Sequence, residues 1–595
     1  MEEKVKLALA PIFAIDLRSL AAFRVGFGLV LLWDLGSRAT DLGAHYTDFG
    51  ILPRIAAIDL LTPWQFSLHL GSGAGAFEGI LFALAAIFAV GLIIGFRTRR
   101  CMAISWFLLL SLQNRNPLVL TDGDGWLVFL AFWAMFMPLG ARFSVDAALN
   151  RADGAGREHF FSLTSGIVVL AVIGWLLSTA LLRTDPGWTT TGEAFSRLLS
   201  LNASVTGFGL WLRGQADVLP AFGLFVHYAG LIGPLLFLLP VFAGTARLGG
   251  IFLLFLQSLV LMLSIHLGLG PVVTLVALIL FLPRAFWQRL SRRFYRQNTA
   301  PITIYYDQGS AVGKKISLLL REFLALRQAQ ILPAQGNART YQILMEKDSW
   351  VVSDDSHDYI RWQALTFLVL KSPLFWPLGV VLSLPPPSRL GNRIYRLAVR
   401  RRGTLGRLMS ALLPYRAYRF TAGRVATAVA VTVFLTGLYF NIAALSPVLP
   451  PLPAAVSGIL GALNLDRRDS FLAPAPPRED GWPVIGGTLG DGRAVDVLAE
   501  TAGWPAVRRP ETIAAVYPDQ RWRTYLLRIL PGDAVQMQNF GRYLCRHWNR
   551  SLPLGAPLSR HEIVWNAETT LRGRPGRAFS RRTVWRHDCF GRAAG

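Results

Sequence analysis

The chain has 595 residues; 53% are hydrophobic, only 16% are charged, and 60 Lys+Arg against 36 Asp+Glu leave a net charge of +24. So little charge at this length excludes an ordinary soluble protein and makes the lipid bilayer the first partner. The arginines gather in short clusters beside apolar stretches instead of forming a continuous basic face, which argues for membrane loops and against nucleic acid.

The opening MEEKVKLALAPIF carries two acids and no small-residue cleavage site, so no removable signal peptide is expected. Apolar windows able to cross about 30 Å of hydrocarbon follow near 17–37, 76–95, 101–117, 124–140, 160–182, 219–241, 247–269, 270–286 and 424–446. With the N-terminus inside, Arg97, Arg99 and Arg100, then Arg142, Arg151 and Arg157, then Arg247, then the Arg284–Arg296 cluster all face the cytoplasm, as the positive-inside rule asks. The expected fold is mainly α: a polytopic helical membrane bundle of about eight spans plus one. It carries a cytoplasmic α/β insert and an extracytosolic α+β tail. The divisions are 1–296 (membrane domain), 297–405 (insert), 406–446 (basic approach and last span) and 447–595 (tail), in a bacterial inner membrane.

Within 111–148 a polar block of Asn114, Arg115, Asn116, Asp122 and Asp124 is wedged between apolar runs. Ionisable groups at a membrane boundary are costly unless paired or wet, so the block marks a candidate site. The same parity gathers Asp34, Arg183, Trp188, Glu193, His227 and His266 near the outer leaflet. His227 and His266 are the candidate acid–base groups, because imidazole exchanges protons near neutral pH; Glu193 is the third catalytic candidate. The plainer reading has Arg115 and Arg183 snorkelling to headgroups, Asp122 capping a helix from near Gly125, and Trp188 in an interfacial belt. Arg24, deep in the first window, must find a partner.

Three segments carry a resemblance over about residues 12–290: LRSLAAFRVGFGLVLLWDLG with HYTDFGILPR, NRNPLVLTDGDGWLVFLAFWAMFMPLGARFSVDA, and STALLRTDPGWTTTGEAF. They are similar to the horizontally transferred transmembrane (HTTM) domain of bacterial relatives of vitamin K-dependent gamma-carboxylase. The resemblance implies a lysine that deprotonates a vitamin K hydroquinone, but Arg183 occupies that position and no lysine lies between Lys6 and Lys314. Arginine stays charged and cannot be a general base at ordinary pH. Where the family has a histidine after paired asparagines, the chain has Asn116 and Pro117. Gamma-carboxylation is therefore not expected, and an isoprenoid quinone remains only a candidate cofactor.

From 301, ITIYYDQGSAVGKKISLLLREFLAL combines a β-branched run, a Gly turn and an amphipathic helix, the start of a thioredoxin-like unit. With TYQILMEKDSWVVSDDSHDYIRWQALTFLVLKS and RLGNRIYRLAVRRR it resembles the DCC-type thiol-disulfide oxidoreductase-like family over about 301–402. That family's turn carries Cys-x-x-Cys; here the turn runs from Asp307 through Ser310 to Gly313, and both thiols are absent. A hydroxyl at Ser310 forms no disulfide, so the insert is expected to be redox-inert, with Lys314 and Lys315 as solvated first-turn residues. The segment 374–391, interrupted by prolines, is expected to lie along the inner leaflet.

Beyond a Pro-rich connector, DGWPVIGGTLGDGRAVDVLAE predicts two strands around Asp491-Gly492, RWRTYLLRIL and MQNFGRYLCRHWNRS predict helices, and EIVWNAETT and RTVWRHDC predict closing strands. Cys545 and Cys589 are the expected disulfide. His547, His561 and His587 lack ligand spacing, so no metal is expected.

Three readings stand together. One is a membrane protein binding a hydrophobic small molecule, lipid or secreted client; another is a membrane enzyme using His227 or His266; the third is a redox protein acting through the insert.

Overall fold

A computed structural model describes the chain except residues 1–8, 151–156, 241, 296–300, 327, 355, 446–447, 466–470, 506–508, 531, 571–576 and 592–595, so Arg151, Arg296 and the N-terminal opening lie outside the described residues. The membrane half folds into helices α1 (Leu17–Ala39), α2 (Gly75–Ile94), α3 (Thr98–Arg115), α4 (Asp122–Ala134), α5 (Leu163–Leu181), α6 (Leu219–Leu236), α7 (Ala243–Ser264), α8 (Gly270–Leu278) and α9 (Arg284–Tyr295). Among the described residues six helices are long and apolar enough to cross a membrane: α1, α2, α5, Ala216–Leu236, α7 and Arg424–Ala443. A seventh follows if Gly270–Phe281 and Arg284–Arg293, bent by 89°, count as one span.

Three of the nine expected windows, 101–117, 124–140 and 270–286, fall outside these six helices. Helix α3 carries Arg99, Arg100 and Arg115 near its ends. Helix α4 has 13 residues, about 20 Å of length, against the roughly 30 Å of a hydrocarbon core. It can be short because it is buried on nearly all sides within the bundle, against α3 and α8. There Gly123 lets two backbones meet: a Cβ at this position would lie 2.4 Å from the Gly270 nitrogen. The third window, 270–286, breaks at Pro283 between α8 and α9.

The helix ends alternate between two opposite ends of the bundle. At one end, Ser19 of α1 donates to the Leu282 carbonyl, and Arg24 donates to the carbonyls of Leu139, Arg142 and Phe143, which supplies the partner its depth requires. At the other end, about 26–32 Å along α1 from its start, sit Asp34 and Arg38, with the polar residues of α3 and α4 beside them.

The insert docks at the Leu17 end, where Glu322 accepts the Phe143 amide at 2.7 Å. It comprises β1 (Thr303–Tyr306), α10 (Ala311–Phe323), β2 (Gln330–Pro333), α11 (Ala338–Lys347), β3 (Val351–Ser353), β4 (Asp358–Ile360) and α12 (Arg361–Leu370). The sheet order is β2-β1-β3-β4, with β1 and β2 parallel and the other pairs antiparallel. Segment 376–400 forms two helices, Trp376–Ser383 and α13 (Pro385–Arg400), and α14 (Arg424–Leu445) returns along α5.

The tail packs α15 (Gln520–Ile529) and α16 (Ala534–Ser551) on an antiparallel sheet of order β9-β8-β5-β6-β7. Its strands are β5 (Glu479–Leu489), β6 (Ala494–Asp496), β7 (Thr501–Ala502), β8 (Leu558–Thr570) and β9 (Arg577–Asp588). Its core, including Trp482, Ile485, Tyr525, Phe540, Trp548 and Ile563, is continuous with Ile51, Leu52, Val119 and Ala203 of the bundle. One hydrophobic core therefore joins the tail to the Ala39 end of α1.

Candidate functional site

Asp34 and Arg38 are one helical turn apart, so they share a face of α1, and Arg38 Nε donates to Asp34 Oδ2 at 2.8 Å. Arg38 also reaches Tyr46 Oη at 2.8 Å and pairs with Asp124. Asp124 is held by a capping box at the start of α4, its Oδ2 accepting the Thr121 amide and hydroxyl at 2.6 and 2.8 Å. The tail completes the cluster. Arg521 of α15 donates to Asp34 Oδ1 at 2.6 Å, to Asp124 Oδ1 and Oδ2 at 3.2 and 3.3 Å, and to the Val119 carbonyl at 3.2 Å. Two carboxylates and two guanidiniums balance, which is what makes four charges tolerable with side-chain exposures of 8% or less.

The neighbouring polar residues staple loops over this end. Asn114 donates to the Phe66 carbonyl at 3.0 Å, Arg115 to that of Leu52 at 2.9 Å, and Asn116 to that of His45 at 2.8 Å. Arg115 is fully buried, so the headgroup-snorkelling alternative does not describe it. Asp122 is the first residue of α4 and Thr121 its cap, a correction to the expected capping role. Arg528 reaches the carbonyls of Pro117, Leu118 and Leu120 at 2.7–2.9 Å, and Arg523 reaches those of Ala203 and His266. Helix α15 thereby presents three arginines to the bundle.

Beside these arginines lies a cavity of about 560 Å³ between bundle and tail. Leu120, Leu201, Leu267, Phe471, Leu527 and Trp565 form its apolar walls, and Asp122, His266, Glu479, Asp480, Arg523 and Arg582 supply polar groups. Burial pushes the Asp480 carboxyl up to about 6, although its Oδ2 accepts the Ala203 amide at 2.9 Å. Burial, with Arg523 nearby, lowers the His266 imidazole below its ordinary value, which favours its neutral form.

The remaining candidates lie elsewhere. Arg183 is buried, donates to the Val226 carbonyl at 3.2 Å, and stands over the Trp188 ring at 5.5 Å. Trp188 is fully buried and donates to the Leu472 carbonyl at 3.0 Å, so neither snorkelling nor an interfacial belt describes this pair. His227 is buried beside them, its Nδ1 without a hydrogen-bond partner among the described residues, and does not line the cavity. Glu193 is exposed at the start of a short helix. His227 and His266 therefore occupy different surroundings.

In the insert, Ser310 caps α10, its Oγ accepting the Gly313 amide at 3.4 Å, while Asp307 accepts the Gly309 amide and the Gln335 side chain, both at 2.9 Å. Lys315 is not solvated as expected: it is buried and donates to the Met409 carbonyl at 3.1 Å. Cys545 and Cys589 form the expected disulfide. Strand pairing sets His561 opposite His587, and the Cys545, His561 and Cys589 ligand atoms fall within 4.8 Å of one another, a juxtaposition that sequence spacing did not reveal.

Sequence reasoning missed Arg38, Tyr46, Arg521, Arg523 and Asp480. The four-residue step from Asp34 to Arg38 was a readable signal; the others depend on tertiary docking. It also missed the buried His69–Glu78 pair, 2.5 Å apart. Comparison with known protein families, characterised proteins and solved structures finds no match.

Proposed function

We propose that the chain is a multi-pass membrane protein, related to the HTTM gamma-carboxylase relatives, that binds a hydrophobic ligand in the cavity between bundle and tail. An isoprenoid quinone, a lipid or an apolar segment of a secreted client fits that description. The single observation that carries this reading is the 560 Å³ cavity itself, apolar on its walls with a few convergent polar groups, at the end of the bundle covered by the tail. In this reading the buried ion cluster seats the tail, and the ligand lies beside it.

The alternation of helix ends supports an arrangement of nine passes, with the N-terminus and residues 300–422 cytoplasmic and the tail outside, in a bacterial inner membrane. The β2-β1-β3-β4 order, with its single parallel pair, supports a thioredoxin-like insert related to the DCC-type family. Ser310 in place of a thiol makes that insert a docking module. Arg183, buried and engaged with the Val226 carbonyl, supplies no base where the carboxylases have lysine.

The test is mass spectrometry of lipids retained by protein purified in mild detergent. A stoichiometric hydrophobic molecule, lost when Leu527→Trp fills the cavity, supports the reading; its absence from wild type, or equal retention by the variant, overturns it.

The second reading, a membrane enzyme, is favoured by His266 and Asp480 lining one cavity, where burial lowers the imidazole and pushes the carboxyl up to about 6. It expects His266→Ala to keep the ligand and lose its turnover.

A further inference from the structure

A second cavity lies at the opposite end of the bundle. It measures about 880 Å³, within the range of about 300–1,000 Å³ usual for small-molecule sites. Ala22, Val25 and Leu29 of α1 form one wall, Trp287 of α9 a second, and Leu374 and Phe375 of the insert a third. Among the described residues no acidic side chain lines it.

Two further observations identify what enters. Helix α9 carries Arg289, Arg292 and Arg293, all exposed, and has no acid along its length. The chain leaving the third wall exposes Leu374, Phe375, Trp376, Leu378, Val380 and Val381. In α13 the exposed Leu390, Ile394 and Leu397 recur at helical spacing among Arg389, Arg393, Arg396 and Arg400. An apolar face edged with arginines is built to lie in the headgroup boundary of an anionic bilayer. The groove therefore opens where acyl chains and anionic headgroups meet.

We infer that this groove binds one anionic glycerophospholipid from the bilayer, its acyl chains between α1, Trp287 and Leu374 and its phosphate toward the α9 arginines. The bound lipid fills the space between the bundle and the insert, so the contact between those two parts is made in part by a lipid. This site is separate from the cavity under the tail, and either can fail without the other.

The experiment takes delipidated full-length protein in detergent, adds phosphatidylglycerol or phosphatidylcholine with palmitoyl and oleoyl chains, and measures retained lipid by native mass spectrometry. Wild type is expected to hold one phosphatidylglycerol, about tenfold more tightly than phosphatidylcholine. Ala22→Trp and Leu374→Trp, which fill the groove from opposite walls, are each expected to reduce that retention about tenfold. Replacing Arg289, Arg292 and Arg293 together by Gln is expected to lower phosphatidylglycerol retention to the phosphatidylcholine level. Leu374 is 54% exposed, so its substitution leaves the core intact and decides the matter even where Ala22→Trp does not fold. Equal retention of the two lipids by wild type, or full retention by Leu374→Trp, overturns the inference.

Discussion

Arg521→Ala removes one of the four charges in the cluster that joins tail to bundle. The alanine leaves Asp34 and Asp124 with Arg38 alone, a net buried negative charge, and frees the Val119 carbonyl. Because the two carboxylates are no more than 1% exposed, water cannot replace the lost guanidinium without opening the junction. Breaking a buried pair from one side costs about 3–5 kcal/mol, so the docked state is expected to weaken by about a hundredfold or more. Hydrogen–deuterium exchange reads this directly: peptides covering 113–124 and 520–529 are expected to exchange at least ten times faster in the variant. Asp34→Asn combined with Arg521→Met restores balance between Arg38 and Asp124, and is expected to cost less than the sum of the single changes. A loss below about 1 kcal/mol for Arg521→Ala, the range of a surface pair, would refute the junction.

Three further expectations concern the tail, and one the insert. Asp480 has its folded pKa raised from 3.8 to about 6 by burial, so its contribution is complete below 3.8 and is lost as pH rises through 6. Tail docking followed by exchange is expected to weaken between about pH 4 and 6 and to level off above, and Asp480→Asn to flatten that slope. His561 has the opposite sign, because burial lowers it from 6.5 to about 3. Its contribution is present above 6.5 and declines as pH falls, so His561→Gln is expected to reduce the acid sensitivity of tail unfolding measured by circular dichroism. Reducing Cys545–Cys589, which closes a separation of 44 residues, is expected to cost the tail about 2–4 kcal/mol in denaturant unfolding. Ser310→Ala is expected to cost about 1 kcal/mol through the lost cap of α10, and neither form is expected to reduce insulin.

Much of the architecture was legible because burial in lipid and in a core both leave periodic traces. The apolar windows located α1, α2, α5, α6, α7 and α14, and the alternation around Asp491-Gly492 located β5 and β6. The window at 124–140 located α4 but not its shortness or its enclosure, since a short helix packed among other helices is as apolar as a longer one facing lipid, and composition does not measure length against a bilayer. The polar block was singled out as costly, yet the partners that offset that cost were invisible. Asp34 and Asp124 are balanced by Arg521, nearly 400 residues or more away in sequence, and Arg115 by a carbonyl of the loop at Leu52. Grouping His227 with His266 by depth failed to anticipate that one is enclosed beside Arg183 and the other faces the tail cavity, because depth along a helix does not specify which way a side chain points.

The account requires the insert and the tail to face opposite sides of the membrane. Glu346→Cys in the insert and Asp491→Cys in the tail are both exposed positions suited to a membrane-impermeant maleimide. In intact expressing cells stripped of outer barriers, Asp491→Cys is expected to label at once and Glu346→Cys only after permeabilisation. Labelling of both before permeabilisation, or of neither, would contradict the arrangement and with it the placement of the two cavities at opposite membrane surfaces.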